Sequence, residues 1–144
     1  MNEKDYVGTC HCGAVRFEVE MAPDARISRC NCTICRRTGA TSATVKPIAF
    51  RLLAGQDNLS VYEFGGHTAE RVFCKTCGIH CYSPGDLEQL GGAYVAVNVN
   101  CIDNFEVVES AVVYFDGRHD KWDAGTTVPW PVDERSVPSS VQPM

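Results

Sequence analysis

The sequence has no apolar run approaching the roughly 18 residues that a membrane-spanning helix needs, so no such span is expected. Its opening residues, MNEKDYVG, carry no apolar h-region. A secretory signal is therefore not expected, and the cytoplasm is the expected compartment. Helical periodicity is scarce. No internal repeat is visible beyond clusters of cysteine. Dense basic stripes interleaved with aromatics are also missing, so nucleic acid is not an expected partner. Acidic side chains outnumber basic ones, 18 to 13, for a net charge of −5. The imbalance is uneven: residues 1–51 hold 8 Lys/Arg and 5 Asp/Glu, whereas residues 52–144 hold 5 and 13. The mildly basic first part contains a cysteine triplet, and its natural partner is a small anion.

What remains is the profile of a single globular domain. At 144 residues, with 44% hydrophobic and 22% charged residues, the chain is long enough to bury a core. AVRFEVE (14–20) alternates, with Val15, Phe17 and Val19 on one side and Arg16, Glu18 and Glu20 on the other. That is the pattern of a half-buried strand. IAFRLL (48–53), LSVYEF (59–64), AERVF (69–73), AYVAVNV (93–99) and SAVVYF (110–115) are further β-rich runs, and NFE (104–106) is a candidate edge. AGQDN, FGGH, SPGD and LGG read as the breaks between them. The expected fold is mainly β with little helix. The domain is expected over residues 1–122. Residues 123–144 are rich in Pro, Ser and Thr and are expected to form a C-terminal arm, with Trp130 between two prolines and a disordered end.

Nine cysteines in 144 residues are the anomaly. The count is odd, no export signal precedes it, and seven fall into three tight clusters: Cys10/Cys12, Cys30/Cys32/Cys35 and Cys74/Cys77. Spacings of one or two residues suit convergence on a metal better than disulfides, and zinc is the expected ion. FCKTCG (73–78) has the form of a zinc knuckle, with Gly78 free to take the positive φ that its turn wants. TCHCG (9–13) is a tighter version. NCTICRRTG (31–39) reads as a metal-binding turn running into one helical turn ended by Gly39. Two pairs make a closed four-sulfur site, and the triplet then offers the three protein ligands of a catalytic zinc. Ligand counting does not say which pairs combine. A fourth ligand from Cys81, Cys101, His11 or His80 would close both sites. Cys81 and Cys101 stand in strand-like contexts, where a cysteine is more often a small buried hydrophobe.

GTCHCGAVRFEV, CNCTICRRTG and FCKTCGIH resemble, in order and separation, the three cysteine motifs of the glutathione-dependent formaldehyde-activating enzyme family, which includes centromere-protein-V-like proteins. VAVNVNCID and FDG (115–117) resemble its closing strands, so the resemblance spans residues 6–117. Cys81 departs from the pattern, and nothing after residue 123 matches it. The resemblance implies a β-tent-like fold of twisted antiparallel sheets with two zinc ions per chain. Cys10, Cys12, Cys74 and Cys77 would hold structural zinc. Cys30, Cys32 and Cys35 would hold catalytic zinc, with the substrate's own sulfur as fourth ligand.

Zinc keeps a coordinating thiol as its thiolate, so glutathione or a related thiol would be activated at neutral pH to add to an aldehyde such as formaldehyde. The reverse step is a carbon–sulfur cleavage, so the expected activity is that of a carbon–sulfur lyase. Arg36 directly follows a ligand and is the candidate for offsetting thiolate charge or holding a carboxylate; Arg37 reads more simply as a solvated side chain. No histidine or carboxylate declares itself as the general acid. The alternative, from another class, is a non-catalytic zinc-stabilised glutathione carrier or interaction domain. A thiol-redox role would need a nucleophile outside the metal sites, which leaves Cys81 or Cys101.

Overall fold

A computed structural model describes residues 3–66 and 69–130. In chain order its strands are β1 (Lys4–Thr9), β2 (Arg16–Met21), β3 (Ser28–Cys30), β4 (Ser42–Val45), β5 (Phe50–Ala54) and β6 (Leu59–Tyr62). They continue as β7 (Arg71–Cys74), β8 (His80–Leu87), β9 (Gly92–Asn98), β10 (Val113–Asp116) and β11 (Lys121–Thr126). One short helix, α1 (Thr33–Thr38), lies between β3 and β4. The strands form a three-stranded sheet, β1-β2-β5, and an eight-stranded sheet, β11-β10-β3-β4-β9-β8-β7-β6. The expected mainly β, twisted antiparallel architecture is what the chain adopts. The exception is the parallel pair β3–β10, with Arg29 opposite Tyr114.

The alternation in β2 explains how the sheets meet. Val15, Phe17 and Val19 are fully buried, whereas their polar neighbours turn outward. The Phe17 ring lies 5.6 Å from Phe50 on β5 and 6.3 Å from Tyr82 on β8, and Phe50 stands 4.5 Å from Tyr82. These rings join the two sheets, with Val72, Val95, Val97 and Ala43 completing the inner face of the larger one. Burying a side chain such as Phe17 is worth roughly 1.5–3 kcal/mol.

Two local expectations fail. NFE forms no strand: Phe105 instead turns inward, 8% exposed, edge-on to the Tyr6 ring at 5.3 Å. SPGD (83–86) is not a break but the middle of β8, paired residue for residue with β9. The Pro84 carbonyl accepts the Glu70 N–H at 2.9 Å. Carbonyl and nitrogen of one residue point the same way in such a strand, so the missing N–H faces the frayed entry to β7, where no ladder bond is lost. A bulge in the β7–β8 pairing sets Val72 opposite Tyr82 but Phe73 opposite His80. The extra residue, Cys81, is thereby driven into the core beside Tyr82.

The expected arm begins within β11. Beyond it the Trp130 indole N–H donates to the Phe115 carbonyl at 3.0 Å, and the ring meets Tyr114 edge-on at 4.8 Å. Residues 131–144, including the end expected to be disordered, lie outside the described residues. No helix among the described residues is long and apolar enough to cross a membrane.

Candidate metal centres

The β1–β2 turn and the β7–β8 turn belong to different sheets, and the core packing brings them together. The sulfurs of Cys10, Cys12, Cys74 and Cys77 all lie within 4.8 Å of one another. Cys10 to Cys12 and Cys12 to Cys74 are each 3.6 Å. A disulfide needs about 2.05 Å. Four sulfurs at about 2.3 Å from one tetrahedral ion stand about 3.8 Å apart, close to what is seen. His11 and His80 join neither cysteine cluster.

The surrounding N–H groups suit sulfur anions. Cys74 Sγ accepts from the backbone N–H of Thr76 at 3.3 Å and of Cys77 at 3.5 Å, and from Asn58 Nδ2 at 3.2 Å. Cys10 Sγ accepts from the Val15 N–H at 3.3 Å. Gly78, at φ 76°, turns the chain as its position in the knuckle requires. The Cys12 backbone N–H helps hold the Cys77 thiol down to about 6. Cys12 goes the other way: the Ala14 N–H pulls it down, but desolvation and the neighbouring sulfurs raise it to about 11. Sulfurs this close cannot all be anionic by themselves; a divalent cation removes the conflict. Four thiolates in this geometry could hold one metal ion.

The triplet is built by a strand end and a helix start. Cys30 closes β3, Cys32 is the N-cap of α1, and Cys35 follows within the helix. Gly39 ends that helix at φ 69°, its N–H on the Cys35 carbonyl at 3.0 Å. The three sulfurs lie within 4.8 Å of one another. Among the described residues no other Cys, His, Asp or Glu joins that group. Hydrogen bonds from Cys30 and Cys35 hold the Cys32 thiol down to about 3, with the Arg71 charge contributing. Its thiolate in turn drives Cys30 up to about 11.

Residues from the far end of the chain close the triplet. Asn31, between two of the cysteines and 9% exposed, donates to Asp116 Oδ1 at 2.8 Å and accepts the Arg118 N–H at 2.9 Å. Partial burial pushes the Asp116 carboxyl up, but Asn31 and His119 outweigh it and hold it low; His119 Nδ1 lies 2.9 Å away. Gly117 packs directly on Cys30: a Cβ there would fall 2.5 Å from its sulfur and 2.3 Å from the Trp122 ring. Beneath, Arg29 makes a two-pronged pair with Glu109 at 2.8 and 3.1 Å and donates to Thr41 and Tyr114.

Arg36 and Arg37 are exposed, and Arg37 Nη1 donates to the Thr33 carbonyl at 3.1 Å. Cys81 and Cys101 are buried, 0% and 8% exposed, which leaves the thiol-redox reading without an accessible nucleophile. Asn58 and Arg71 carry no local signal in the sequence, whereas Asn31 and Asp116 lie within the quoted CNCTICRRTG and FDG stretches without a role being read for either. Asn58 reaches Cys74 because Leu59 pairs with it across β6–β7, and Asp116 reaches Asn31 through the parallel β3–β10 pair.

The model of a family described as glutathione-dependent formaldehyde-activating enzyme matches residues 5–117. A Halomonas elongata protein named "Putative glutathione-dependent formaldehyde-activating enzyme" is 40% identical over 78 residues, covering 49% of this chain and 50% of that one. The chain thus spans about half the length of this curated relative. The crystal structure of a Rhodobacter sphaeroides protein is similar with a TM-score of 0.61 at 40% identity, over 69% of this chain and 90% of that one.

Proposed function

The chain belongs to the glutathione-dependent formaldehyde-activating enzyme family, and on that premise we propose that it is a zinc-dependent carbon–sulfur lyase acting on glutathione, or a related thiol, and an aldehyde such as formaldehyde. The observation that carries this reading is the inequality of the two sulfur clusters, four in one and three in the other. Four close a tetrahedral site; three leave a position for a substrate atom. Cys10, Cys12, Cys74 and Cys77 would hold the structural zinc. Cys30, Cys32 and Cys35 would hold the catalytic one, giving two per chain. Bound at the triplet, zinc would supply a cation that keeps a substrate thiol ionised and oriented near neutral pH.

The chain's own residues do the rest. The Cys32 N–H, 3.4 Å from Cys30 Sγ, and the short helix fix the directions of the three sulfurs. Asn31, held by Asp116 and Arg118, keeps the turn between them rigid, as groups behind metal ligands do. Gly117 and Trp122 cover one side of Cys30 and limit water there. Arg36, next after Cys35, is proposed to meet substrate charge from the helix side. In the overall reaction a sulfur–carbon bond forms, the aldehyde π bond opens, and the thiol proton ends on the new hydroxyl oxygen. Cytoplasmic residence would keep the thiols reduced.

The test is proton NMR of zinc-loaded protein with glutathione and formaldehyde, following S-hydroxymethylglutathione. Formation faster than the uncatalysed rate, abolished by Cys35→Ser, is expected. Tight glutathione binding with no rate enhancement for any aldehyde would refute the lyase and leave a carrier.

A further inference from the structure

Adding a thiol to an aldehyde moves a proton from sulfur to oxygen, and one histidine outside the cysteine clusters is built to carry it. The tight turn Gly117–His119 joins β10 to β11. It is tied to the triplet at two points. The Gly117 backbone lies against Cys30, where a Cβ would stand 2.5 Å from the sulfur and 2.3 Å from the Trp122 ring. Asn31, between Cys30 and Cys32, donates to Asp116 Oδ1 at 2.8 Å and accepts the Arg118 N–H at 2.9 Å. The turn is therefore a wall of the triplet. His119 follows Gly117 by two residues, about 4 Å along a turn of this kind.

His119 is held in one orientation. Its Nδ1 lies 2.9 Å from both oxygens of Asp116. A carboxylate only accepts, so Nδ1 carries the hydrogen of the neutral ring and Nε2 keeps a free lone pair. The side chain is 58% exposed, which leaves Nε2 open to an incoming molecule. The other carboxylate of the turn is committed elsewhere: Asp120 accepts the Trp122 indole N–H at 2.7 Å. An exposed His–Asp pair three residues apart can simply brace a turn. This turn is already closed, by the Asp120 N–H on the Gly117 carbonyl at 3.1 Å. Asp120 takes the left-handed conformation to do so, at φ 58°, which an aspartate tolerates better than most residues. Asp116 instead links the ring to the residue between two triplet cysteines.

We propose that His119 is the proton carrier of the thiol site, positioned by Asp116: Nε2 takes the proton of the substrate thiol as its sulfur binds at the triplet, and returns it to the aldehyde oxygen. This role rests on the lyase reading above. The S–H bond breaks towards Nε2, and the imidazolium so formed stays beside the Asp116 carboxylate. A sulfur electron pair then forms the S–C bond, the carbonyl π pair moves onto oxygen, and that oxygen takes the Nε2 proton. The ring ends neutral, so no outside acid or base is consumed. Carbon–sulfur cleavage runs the same steps backwards, with Nε2 first accepting the hydroxyl proton.

The experiment is calorimetry of glutathione binding to the zinc-loaded full chain near neutral pH, in PIPES and in Tris, which differ in heat of ionisation. Wild-type heats are expected to agree, because the thiol proton stays on the protein. In His119→Gln they should differ, because the proton goes to buffer. Equal proton release by the two proteins overturns the assignment. If the variant fails to fold, wild-type protein that passes the proton to buffer overturns it alone. In turnover, His119→Gln should lower kcat roughly a hundredfold, the scale of general acid–base catalysis, with KM for glutathione little changed. Added imidazole should restore part of the rate to His119→Ala. Asp116→Asn keeps an amide oxygen for Asn31 but no charge beside the ring, so kcat should fall with the triplet metal retained. Full activity in His119→Gln refutes the role. Wild-type protein that binds glutathione but converts no aldehyde sinks the lyase reading, and the return step with it. The buffer comparison then still decides whether His119 takes the thiol proton.

Discussion

Replacing Cys74 and replacing Cys35 by serine should give opposite kinds of protein. Cys74 is fully buried, and its sulfur accepts three N–H groups while standing 3.6 Å from Cys12, 62 residues earlier. A link across a loop of that length restricts the unfolded chain by about 4 kcal/mol in the chain-entropy account. Cys30 to Cys35 spans only five residues, for which the same relation gives about 2 kcal/mol. Against a total of roughly 5–15 kcal/mol, the first loss is severe and the second tolerable. At roughly 2–4 °C per kcal/mol for a chain of this size, Cys74→Ser should melt roughly 8–16 °C lower or fail to accumulate. Cys35→Ser should remain folded with about one zinc by the ligand count and no thiol binding. Circular dichroism melts and metal analysis of both variants, with glutathione titrated into Cys35→Ser, read these quantities. Equal destabilisation of the two would refute the division into a clamp and an open site.

Purified in reductant without chelator, the protein should hold two zinc ions per chain by that same count, and a colorimetric chelator should strip the triplet first, before any loss of β signal; a single ion, or simultaneous loss with unfolding, would contradict this. Gly117→Ala should cost the triplet metal selectively, because the new methyl falls 2.5 Å from Cys30 Sγ; metal analysis showing both ions retained would count against the packing argument. Glu109 is held below its ordinary range, first by its hydrogen bonds from Arg29. Its contribution is therefore complete above the unfolded value near about 4.3 and fades as pH falls through the lower folded value. The melting difference between wild type and Glu109→Gln should accordingly be constant near neutrality and vanish in acid; a difference that grows on acidification would reverse the sign and refute it.

Local spacing determined a good deal of this protein by itself. Cys-x-x-Cys before Gly78, Cys-x-Cys before Gly13 and the triplet running to Gly39 are decided within a turn or two, because a few φ/ψ angles bring their sulfurs together wherever the chain goes afterwards. The strand containing Val15, Phe17 and Val19 was legible for the same reason: its alternation needs no partner to be seen. Strands β3 and β4 have three and four residues, too few for periodicity to declare itself, and β8 concealed itself behind Pro84 and Gly85, whose tolerance depends on what the neighbouring strand leaves unpaired. Which pairs of cysteines combine is a matter of two sheets meeting around Phe17, Phe50 and Tyr82. Asn58 beside Cys74 and Asp116 behind Asn31 follow only from strand order and register. Those are long-range properties, since a one-residue slip in pairing sends every side chain to the other face, and no stretch of sequence around any of these residues contains that information.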